Sequence, residues 1–346
     1  MSRRLRTVLV GLGHMGVTYA DDPLTRRYYR DASHAEVLAR HQAFVWEAAV
    51  DTDAVRLDQA RARWGFAHGA TSMAELYSFY QPEVLVLATP PQAYASAVAA
   101  CPGLKAVLCE KPLGTTLAEA IAFLDLCNRR SILVQVNFWR RCDQLYRRLA
   151  AGELAALVGR PQVINGIYGN GLLNNGSHLV DFCRMLFGEI AGVRVLGPAL
   201  HAGMPPGAGD FDAASALQFA NGATAILQPV DYRYYREVGL DVWGERGRLE
   251  VLNEGLVNRL SQRAPHRALS RACEVAADAP QMLPPTVGEA LYAVYDNLAA
   301  ALEGRSELWS PGASALQTAV AIDAIQRAVK AGDGCVQAIK ANLSAR

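Results

Sequence analysis

Three glycines near the start of the chain have the spacing of a phosphate-binding loop. They form Gly11-Leu-Gly13-His-Met-Gly16, directly after a short apolar run at residues 8–10. Glycines in such a loop allow a tight turn, close approach of the backbone to a pyrophosphate, and packing of a helix on a strand. The helix that follows offers unpaired N–H groups to phosphates. The loop therefore predicts a dinucleotide site, although a plain glycine-rich turn has the same composition.

A carboxylate at the end of the second strand is the usual partner of this loop. Asp51 ends the apolar run at residues 44–50, and Thr52 follows it. A carboxylate there accepts the ribose hydroxyls and repels a 2′-phosphate, so the sequence favours NAD and leaves NADP open. A solvated turn aspartate is the alternative. Because Asp51 lies 35 residues after Gly16, we expect residues 19–34 to be inserted between the first helix and the second strand.

Two more polar motifs follow predicted strands, at the edge where open α/β sheets bind ligands. Thr89 and Pro90 follow the third strand, and Glu110 and Lys111 follow the fourth. A lysine at this edge is suited to proton transfer or to polarising a carbonyl group. On composition alone, a lysine at a strand end is more often a solvated surface residue.

Strand-like and helix-like segments alternate over the first 140 residues. The predicted strands are residues 8–10, 44–50, 84–88, 106–108 and 132–136. The predicted helices include residues 54–63, 73–80, 93–100 and 117–129. Strands without a polar face that alternate with helices indicate a parallel sheet covered on both sides. We therefore predict an α/β domain of the Rossmann type, with a doubly wound parallel sheet, over residues 1–140.

The pattern changes after about residue 150, where strand-like segments follow one another through short turns. They are residues 162–168, 214–219, 223–230, 238–244 and 249–252, with a hairpin signal at Asn221-Gly222. Helices are predicted at residues 178–187 and 313–330, and residues 265–285 are predicted to be a long surface excursion. We therefore predict an α+β domain over residues 141–346, with a mostly antiparallel open sheet, helices on one face, and a C-terminal helix that packs back on the first domain.

The overall charge excludes two classes of partner. The 34 Lys and Arg residues balance 33 Asp and Glu residues, so no global field attracts nucleic acid or an anionic membrane. The uncharged residues 84–104 contain three prolines, which argues against a membrane span. The seven cysteines form no C-x-x-C pair, so neither a disulfide framework nor a metal site is predicted. These features predict a soluble cytoplasmic protein with a small-molecule partner.

In this order, the motifs resemble the Gfo/Idh/MocA family, the glucose–fructose oxidoreductase and inositol dehydrogenase group. The resemblance runs nearly from end to end. It rests on the glycine loop, Thr89-Pro90-Pro91, Glu110-Lys111-Pro112, Asn137 with Arg140 and Arg141, and Gly176-Ser-His178-Leu-Val-Asp181.

The resemblance implies that Lys111 and His178 are the acid/base pair and that Asp181 supports them. Read alone, His178 and Asp181 could equally form a structural hydrogen bond on one helical face. The expected catalytic residues are Lys111, His178, Asn174 and Asp181. The expected cofactor-binding residues are Gly11, Gly13, His14, Met15, Gly16, Asp51, Thr52, Thr89, Pro90, Tyr94, Glu110 and Lys111. The expected substrate-binding residues are Asn137, Arg141, Asn174 and His178.

Two positions depart from the family pattern. Asn174 stands where the family motif has an aspartate, and an amide cannot take up a proton. Either His178 is then the principal base, or proton handling differs from that of the polyol dehydrogenases. Tyr94 stands where many relatives have histidine, and its hydroxyl still offers a hydrogen bond.

The predicted activity is hydride transfer between NAD(P) and a secondary hydroxyl or ketone of a sugar, phosphosugar, nucleotide sugar or cyclitol. The alternatives are an NAD-retaining sugar lyase or hydrolase of the same family, and a non-enzymatic dinucleotide or sugar sensor. The resemblance also implies a homodimer or homotetramer formed through the C-terminal sheet. Which sugar is bound lies beyond the sequence.

Overall fold

The computed structural model describes residues 3–200, 209–332 and 336–339. The chain divides into two compact units. Unit 1 comprises Met1–Asp143 and Val287–Leu316, and unit 2 comprises Gln144–Thr286 and Gln317–Arg346. The chain therefore leaves unit 1, forms most of unit 2, and returns to unit 1 before its last helix.

Unit 1 contains a six-stranded sheet in which every pair of neighbouring strands is parallel. The strands are β1 (Leu5–Val10), β2 (Phe44–Val50), β3 (His68–Ala70), β4 (Val84–Leu87), β5 (Ala106–Cys109) and β6 (Leu133–Val136). Their order is β3-β2-β1-β4-β5-β6, so the chain reverses direction across the sheet between β1 and β4. This switch point is where doubly wound sheets bind ligands, and the predicted doubly wound parallel sheet is confirmed.

The helices of the first 143 residues are α1 (His34–Arg40), α2 (Ala54–Trp64), α3 (Met73–Tyr77), α4 (Tyr94–Ala99) and α5 (Leu117–Arg129). The predictions for β2 and α5 match the structure residue for residue. Strand β3 was not predicted, because His68-Gly-Ala70 has neither β-branched residues nor alternation.

The prediction placed the insertion after the first helix. In the structure the insertion interrupts that helix instead. After Gly16 the chain leaves the helical path over residues 18–33, here called the excursion, and resumes it at α1. The Met15 carbonyl accepts from the His34 N–H at 2.9 Å, and the Gly16 carbonyl accepts from the Ala35 N–H at 3.0 Å. The helix therefore continues across a gap in sequence. Pro23 lies within the excursion and is incompatible with an unbroken helix there.

Helix α9 (Ala290–Leu302) belongs to the core of unit 1, although it follows unit 2 in sequence. Leu291, Val294 and Leu298 are buried in a cluster with residues of β1, β4 and α1. Each such side chain contributes about 1.5–3 kcal/mol when fully buried. The Gln135 side chain on β6 donates to the Asn297 side chain at 3.0 Å, which fixes α9 against the sheet.

Glu83, just before β4, joins the amino ends of three strands. Its buried carboxylate pairs with Arg3 at 2.7 Å and Lys105 at 2.9 Å, and it accepts from the Arg6 N–H at 3.3 Å. Burial raises the pKa of Glu83, but the two cations and the N–H together outweigh burial and lower it from 4.5 to about 2. The ionised form is therefore the one that stabilises the fold.

We expect Glu83→Gln to lower the free energy of unfolding by about 1–2 kcal/mol at pH 7, since the exposed cations are partly screened. The pKa of Glu83 is lower in the folded chain than in the unfolded one. This stabilisation is therefore present above about pH 4.5 and is lost as the pH falls towards 2. Urea unfolding across this range measures the effect. Glu303→Gln, at an acid paired with the exposed Arg305, is the control, and an equal loss there would contradict the prediction.

Unit 2 contains a ten-stranded sheet that is antiparallel except where β7 and β10 run parallel. Its strands are β7 (Pro161–Tyr168), β8 (Ile190–Val195), β9 (Ser215–Phe219), β10 (Thr224–Pro229), β11 (Gly239–Gly244), β12 (Gly247–Leu252), β13 (Val257–Pro265), β14 (Cys273–Val275), β15 (Gln281–Leu283) and β16 (Val336–Ala338). The mostly antiparallel sheet is confirmed, as is the hairpin at Asn221-Gly222 between β9 and β10. The predicted surface excursion at 265–285 is exposed, but it includes two short strands that pair with β13.

The helices of unit 2 are α6 (Gln144–Arg148), α7 (Leu154–Val158), α8 (Ser177–Phe187) and most of α10 (Gly312–Ala331). Helix α8 packs on the sheet at Gly166, where a Cβ atom would stand 2.8 Å from the Leu179 side chain. On β7, Ile164 and Tyr168 are buried, whereas Val163 and Ile167 are exposed on the opposite face. This alternation leaves one face of the sheet in contact with helices and the other open.

Candidate functional site

The glycine loop lies against the end of β4, at the switch point of the unit 1 sheet. Gly11 has φ +93°, and a Cβ atom on it would stand 2.5 Å from the Ala88 carbonyl oxygen. A Cβ atom on Gly16 would stand 2.2 Å from the Gly11 carbonyl oxygen. A Cβ atom on Gly13, by contrast, would meet no atom of the described, non-neighbouring residues within 4 Å, so this side of its backbone is open to a ligand. The loop therefore has the close packing and the open backbone that a bound pyrophosphate requires.

Asp51 ties the end of β2 to the glycine loop. Its carboxylate accepts from the Leu12 N–H at 2.7 Å and from the Asp53 N–H at 2.9 Å. The Arg56 guanidinium lies 3.3 Å from both carboxylate oxygens. A carboxylate has about four acceptor sites, and these four contacts occupy them, so a ribose hydroxyl would take the place of a contact from the Arg56 side chain. Thr52, also a predicted cofactor residue, is exposed in the adjoining turn.

His14 and Met15 face different surroundings. The exposed His14 ring contacts the excursion, with Nδ1 3.0 Å from the Thr18 hydroxyl and the ring centroid 5.5 Å from that of Tyr19. Met15 is half-buried, and its carbonyl joins the glycine loop to α1. The excursion therefore begins beside the loop that was predicted to bind phosphates.

Two buried polar atoms at the carboxyl edge of the sheet have no hydrogen-bond partner among the described residues. They are the Thr89 hydroxyl, after β4, and the Asn137 side-chain oxygen, after β6. Buried polar atoms are nearly always satisfied in folded proteins, so an ordered water molecule or a bound ligand is expected to be their partner. Together with the open backbone at Gly13, they fit a dinucleotide with several hydroxyl and amide groups. Pro90 is exposed beside Thr89.

Glu110, at the end of β5, is the centre of a buried hydrogen-bond network. Its Oε1 accepts from Asn137 Nδ2 at 2.7 Å and lies 2.9 Å from His34 Nε2. His34 Nδ1 lies 2.7 Å from the Tyr295 hydroxyl on α9. Burial raises the pKa of Glu110, but the hydrogen bond and charge of His34, with Asn137 and Lys111, outweigh it and lower that pKa. Glu110 is therefore an ionised carboxylate inside unit 1.

Tyr94, predicted as a cofactor-binding residue, is the first residue of α4. It is fully buried, and its hydroxyl donates to the Glu110 carbonyl at 2.8 Å. Burial raises the pKa of Tyr94 well above its usual value, so the hydroxyl stays neutral. The side chain supports the turn that carries Lys111, and this placement does not favour the predicted direct contact with a cofactor.

Lys111 and Arg141 lie at neighbouring strand ends. Lys111 follows Glu110 in sequence and is half-buried. Its positive charge contributes to the lowering of the Glu110 pKa. Arg141 is half-buried in the short turn after β6, next to the buried Arg140, which stacks 4.2 Å from the centroid of the Trp139 ring. A lysine ammonium at this edge of the sheet can donate a hydrogen bond to a developing oxyanion.

In unit 2, the turn after β7 carries Asn174 and leads into α8, where His178 is the second residue. Both side chains are half-buried, and Asn174 Nδ2 donates to the Asn170 carbonyl at 3.1 Å. Asp181, one helical turn later, accepts from Thr318 on α10 at 2.9 Å and lies 3.4 Å from Arg184. Asp181 therefore holds α8 to α10, which is a structural role beside its predicted support of catalysis.

Asp210 is a carboxylate at this turn that sequence reasoning missed. It is buried and accepts from the N–H groups of Leu173 at 3.1 Å and Phe211 at 2.9 Å. Burial raises the pKa of Asp210, although backbone N–H groups including that of Asn174 oppose the rise. Position 174 carries no carboxylate, but the Asp210 carboxylate lies at the same turn. Because Asp210 is 36 residues further along the chain, no local motif could reveal it.

Comparison with known proteins supports the resemblance over most of the chain. A family model described as "Oxidoreductase family, NAD-binding Rossmann fold" matches residues 5–138, and another described as "GFO/IDH/MocA C-terminal domain" matches residues 162–250. An inositol 2-dehydrogenase of Mycolicibacterium vanbaalenii is 32% identical over 198 residues, which are 51% of this chain and 57% of that protein. The chain therefore matches little more than half the length of this relative.

Two solved structures have the same fold over nearly their whole length. An oxidoreductase from Agrobacterium radiobacter in complex with NAD+, L-tartaric acid and magnesium has a TM-score of 0.73 at 18% identity, covering 97% of this chain and 98% of the other. The WlbA dehydrogenase from Bordetella pertussis in complex with NADH and UDP-GlcNAcA has a TM-score of 0.72 at 19% identity, covering 98% and 100%. At these identities the likeness establishes the fold alone.

Proposed function

Because the chain belongs to the Gfo/Idh/MocA family, whose N-terminal domain is an NAD-binding Rossmann fold, we propose that it is an NAD-dependent sugar or polyol dehydrogenase. The reaction is hydride transfer between the nicotinamide and a secondary hydroxyl or ketone. The observation that carries this proposal is Lys111 next to the ionised Glu110, at the same sheet edge as the glycine loop. The cofactor, when bound, supplies the hydride chemistry, and the protein supplies orientation and proton transfer.

His178 and Lys111 share the proton transfer in this proposal. His178 removes the hydroxyl proton of the substrate, and the Lys111 ammonium donates a hydrogen bond to the developing oxyanion, or the two roles are exchanged. Asn137, Arg141 and Asn174 hold neighbouring hydroxyl groups or a phosphate. Asp181 supports His178 through the anchoring of α8 to α10.

The substrate class follows from the relatives. Relatives with matching sequence include inositol 2-dehydrogenases, and two solved neighbours were crystallised with tartaric acid and with the nucleotide sugar UDP-GlcNAcA. Inositol, tartaric acid and UDP-GlcNAcA all carry secondary hydroxyl groups. We therefore propose a cyclitol, sugar, phosphosugar or nucleotide sugar as substrate.

A screen of such compounds with NAD and NADP tests the proposal. Release of NADH in step with substrate oxidation is the expected result. Product formed without released NADH would instead identify an NAD-retaining lyase or hydrolase. Compounds that stabilise the chain against heat without any turnover would identify a sensor.

Cofactor selectivity is assigned to Asp51. Asp51→Asn keeps an acceptor for the Leu12 N–H but removes the charge that repels a 2′-phosphate. We expect the ratio of NADP to NAD affinity to rise about 10- to 100-fold, measured by protein fluorescence on titration with each cofactor. Asp53→Asn, at the exposed N-cap of α2, is the matched control. An unchanged ratio in Asp51→Asn would assign selectivity to another group.

The open face of the unit 2 sheet is our proposed oligomer interface. Val163 and Ile167 of β7 are exposed on this face, and Val163 pairs with Trp243 of β11. Apolar side chains on an open sheet face are typical of surfaces that pair with a second copy. Sedimentation analysis is expected to give the mass of a dimer or tetramer.

A reducing compartment such as the cytoplasm is proposed from the cysteines. Cys101, Cys109 and Cys127 are buried free thiols, and Cys273 is an exposed one. No helix within the described part of the chain is long and apolar enough to cross a bilayer.

A further inference from the structure

The excursion is an insertion that keeps the register of the helix it interrupts. In an α-helix, each N–H donates to the carbonyl four residues earlier. The His34 N–H donates to the Met15 carbonyl, and His34 would be the fourth residue after Met15 if it followed Thr18 directly. The helix is therefore complete without residues 19–33, and the excursion must be explained by something other than the helix.

Contacts with three other segments of unit 1 hold the excursion in place. They are the ion pair of Asp21 with Arg63 on α2, the hydrogen bond from the Arg30 N–H to the Gly288 carbonyl, and the ion pair of Asp31 with Arg40 on α1. Tyr19, Leu24 and Tyr28 nevertheless have exposed side chains. A segment that is already ordered loses little conformational entropy when a ligand binds to it. The excursion is therefore suited to present a side chain to a ligand.

The start of the excursion lies against the glycine loop. The Tyr19 N–H donates to the His14 carbonyl at 3.0 Å, and the centroids of the two rings are 5.5 Å apart. The Thr18 hydroxyl lies 3.0 Å from His14 Nδ1. Both rings are exposed, and His14 directly follows Gly13, whose backbone is open on one side. The excursion therefore places Tyr19 beside the loop that has the form of a pyrophosphate site.

Both side chains can supply hydrogen-bond donors to a phosphate group. The Thr18 hydroxyl can donate to His14 Nδ1, which leaves the hydrogen of the neutral ring on Nε2. Among the described residues, neither His14 Nε2 nor the Tyr19 hydroxyl has a hydrogen-bond partner. The oxygens of a pyrophosphate only accept hydrogen bonds, so these two donors match it in chemistry. Hydrogen bonds to a charged group are also stronger than those between neutral groups.

We propose that Tyr19, together with His14, binds the pyrophosphate of the cofactor, and that the excursion is the element that holds Tyr19 at the glycine loop. The inference rests on the proposed function only for the identity of the cofactor. Glycine loops of this kind hold the pyrophosphate of a dinucleotide. A donor that is lost from an interface mainly speeds dissociation, so the expected consequence of Tyr19 is slow release of the cofactor.

Binding of NADH to the full-length chain tests the role of Tyr19 without any substrate. NADH fluorescence gives the affinity on titration and the release rate in stopped flow. In Tyr19→Ala we expect the affinity for NADH to fall about tenfold, mainly through faster release. Tyr19→Phe should show most of this loss, because it keeps the ring and removes the hydroxyl. Tyr28→Ala is the matched control, since Tyr28 is also an exposed tyrosine of the excursion but its backbone lies against Gly288.

Deleting residues 19–33, which joins Thr18 to His34, tests the excursion as a whole. We expect this variant to fold with an unbroken helix, which circular dichroism can check, and to release NADH at least as fast as Tyr19→Ala does. The loss of affinity should be the same for ADP-ribose, which has the pyrophosphate but no nicotinamide and can be measured by competition with NADH. If the deletion variant does not fold, the two Tyr19 variants still decide the question.

An unchanged affinity for NADH in Tyr19→Ala, with the chain folded, would overturn the inference, and so would an equal loss in Tyr28→Ala. A loss that appears with NADH but not with ADP-ribose would place Tyr19 at the nicotinamide and overturn the pyrophosphate contact. If the substrate screen finds no hydride transfer but Tyr19→Ala still releases NADH faster, the proposed function fails and the role of Tyr19 stands.

Discussion

Lys111→Met should reduce kcat by about 10³-fold while changing the affinity for NAD by no more than a few-fold. Methionine keeps the length and the apolar stem of the side chain but removes the ammonium group. Since the oxyanion develops only during hydride transfer, the loss is expected in kcat and much less in substrate KM. Absorbance of NADH measures turnover, and fluorescence titration measures cofactor binding.

Lys105→Met is the matched control for this variant. Lys105 precedes β5 and Lys111 follows it, so the two lysines flank the same strand at opposite ends. Lys105 pairs with Glu83, and its loss should lower stability slightly without changing kcat. Turnover in Lys111→Met within about tenfold of the natural chain would remove Lys111 from the chemistry.

His178→Asn should reduce kcat by about 10²- to 10³-fold, because an amide can still hydrogen-bond the substrate hydroxyl but cannot accept its proton. The variant combining His178→Asn with Lys111→Met should be little worse than the poorer single variant if the two groups act as a unit. His266→Asn, at a histidine of the same unit whose Nδ1 accepts from two backbone N–H groups, is the control.

Near-normal turnover in His178→Asn would mean that another group takes the proton. Asp210 would then be the first residue to test, because it is the buried carboxylate whose backbone partners include Leu173 and Asn174. Asp210→Asn keeps an acceptor for the Leu173 N–H and removes only the charge. A loss of kcat in that variant would transfer the base to Asp210.

Local patterns in the sequence were sufficient where local physics decides the structure. Strand β2 is apolar at every position except Glu47, and α5 is capped by Thr116, whose hydroxyl accepts from the Glu119 N–H at 3.2 Å, so both were predicted with correct bounds. The glycine loop was predictable because the spacing of its three glycines directly after the first strand is itself the signal, although Gly11 packs against the distant Ala88 carbonyl. The roles of Lys111 and His178 stay predictions.

Features that depend on distant partners were not predictable. His34 looks like an ordinary residue of an amphipathic helix, and only the fold brings it to Glu110, 76 residues away. Tyr94 has a hydroxyl that could serve a ligand, but the three-dimensional structure commits it to the Glu110 carbonyl. The excursion was predicted after the first helix, but it interrupts that helix. The sequence shows where a helical pattern stops, but it does not show that the helical hydrogen bonds resume after residue 33.

The return of α9 to the core of unit 1 also sets the order in which the protein can be completed on the ribosome. Residues 144–286 emerge before α9 does, so most of unit 2 is available to fold while unit 1 still lacks Leu291, Val294 and Leu298. Domains usually fold from the N-terminus onward during synthesis. Here neither unit is complete at residue 286, because unit 1 still lacks α9 and unit 2 still lacks most of α10, and the Glu110 network closes only when Tyr295 has left the exit tunnel.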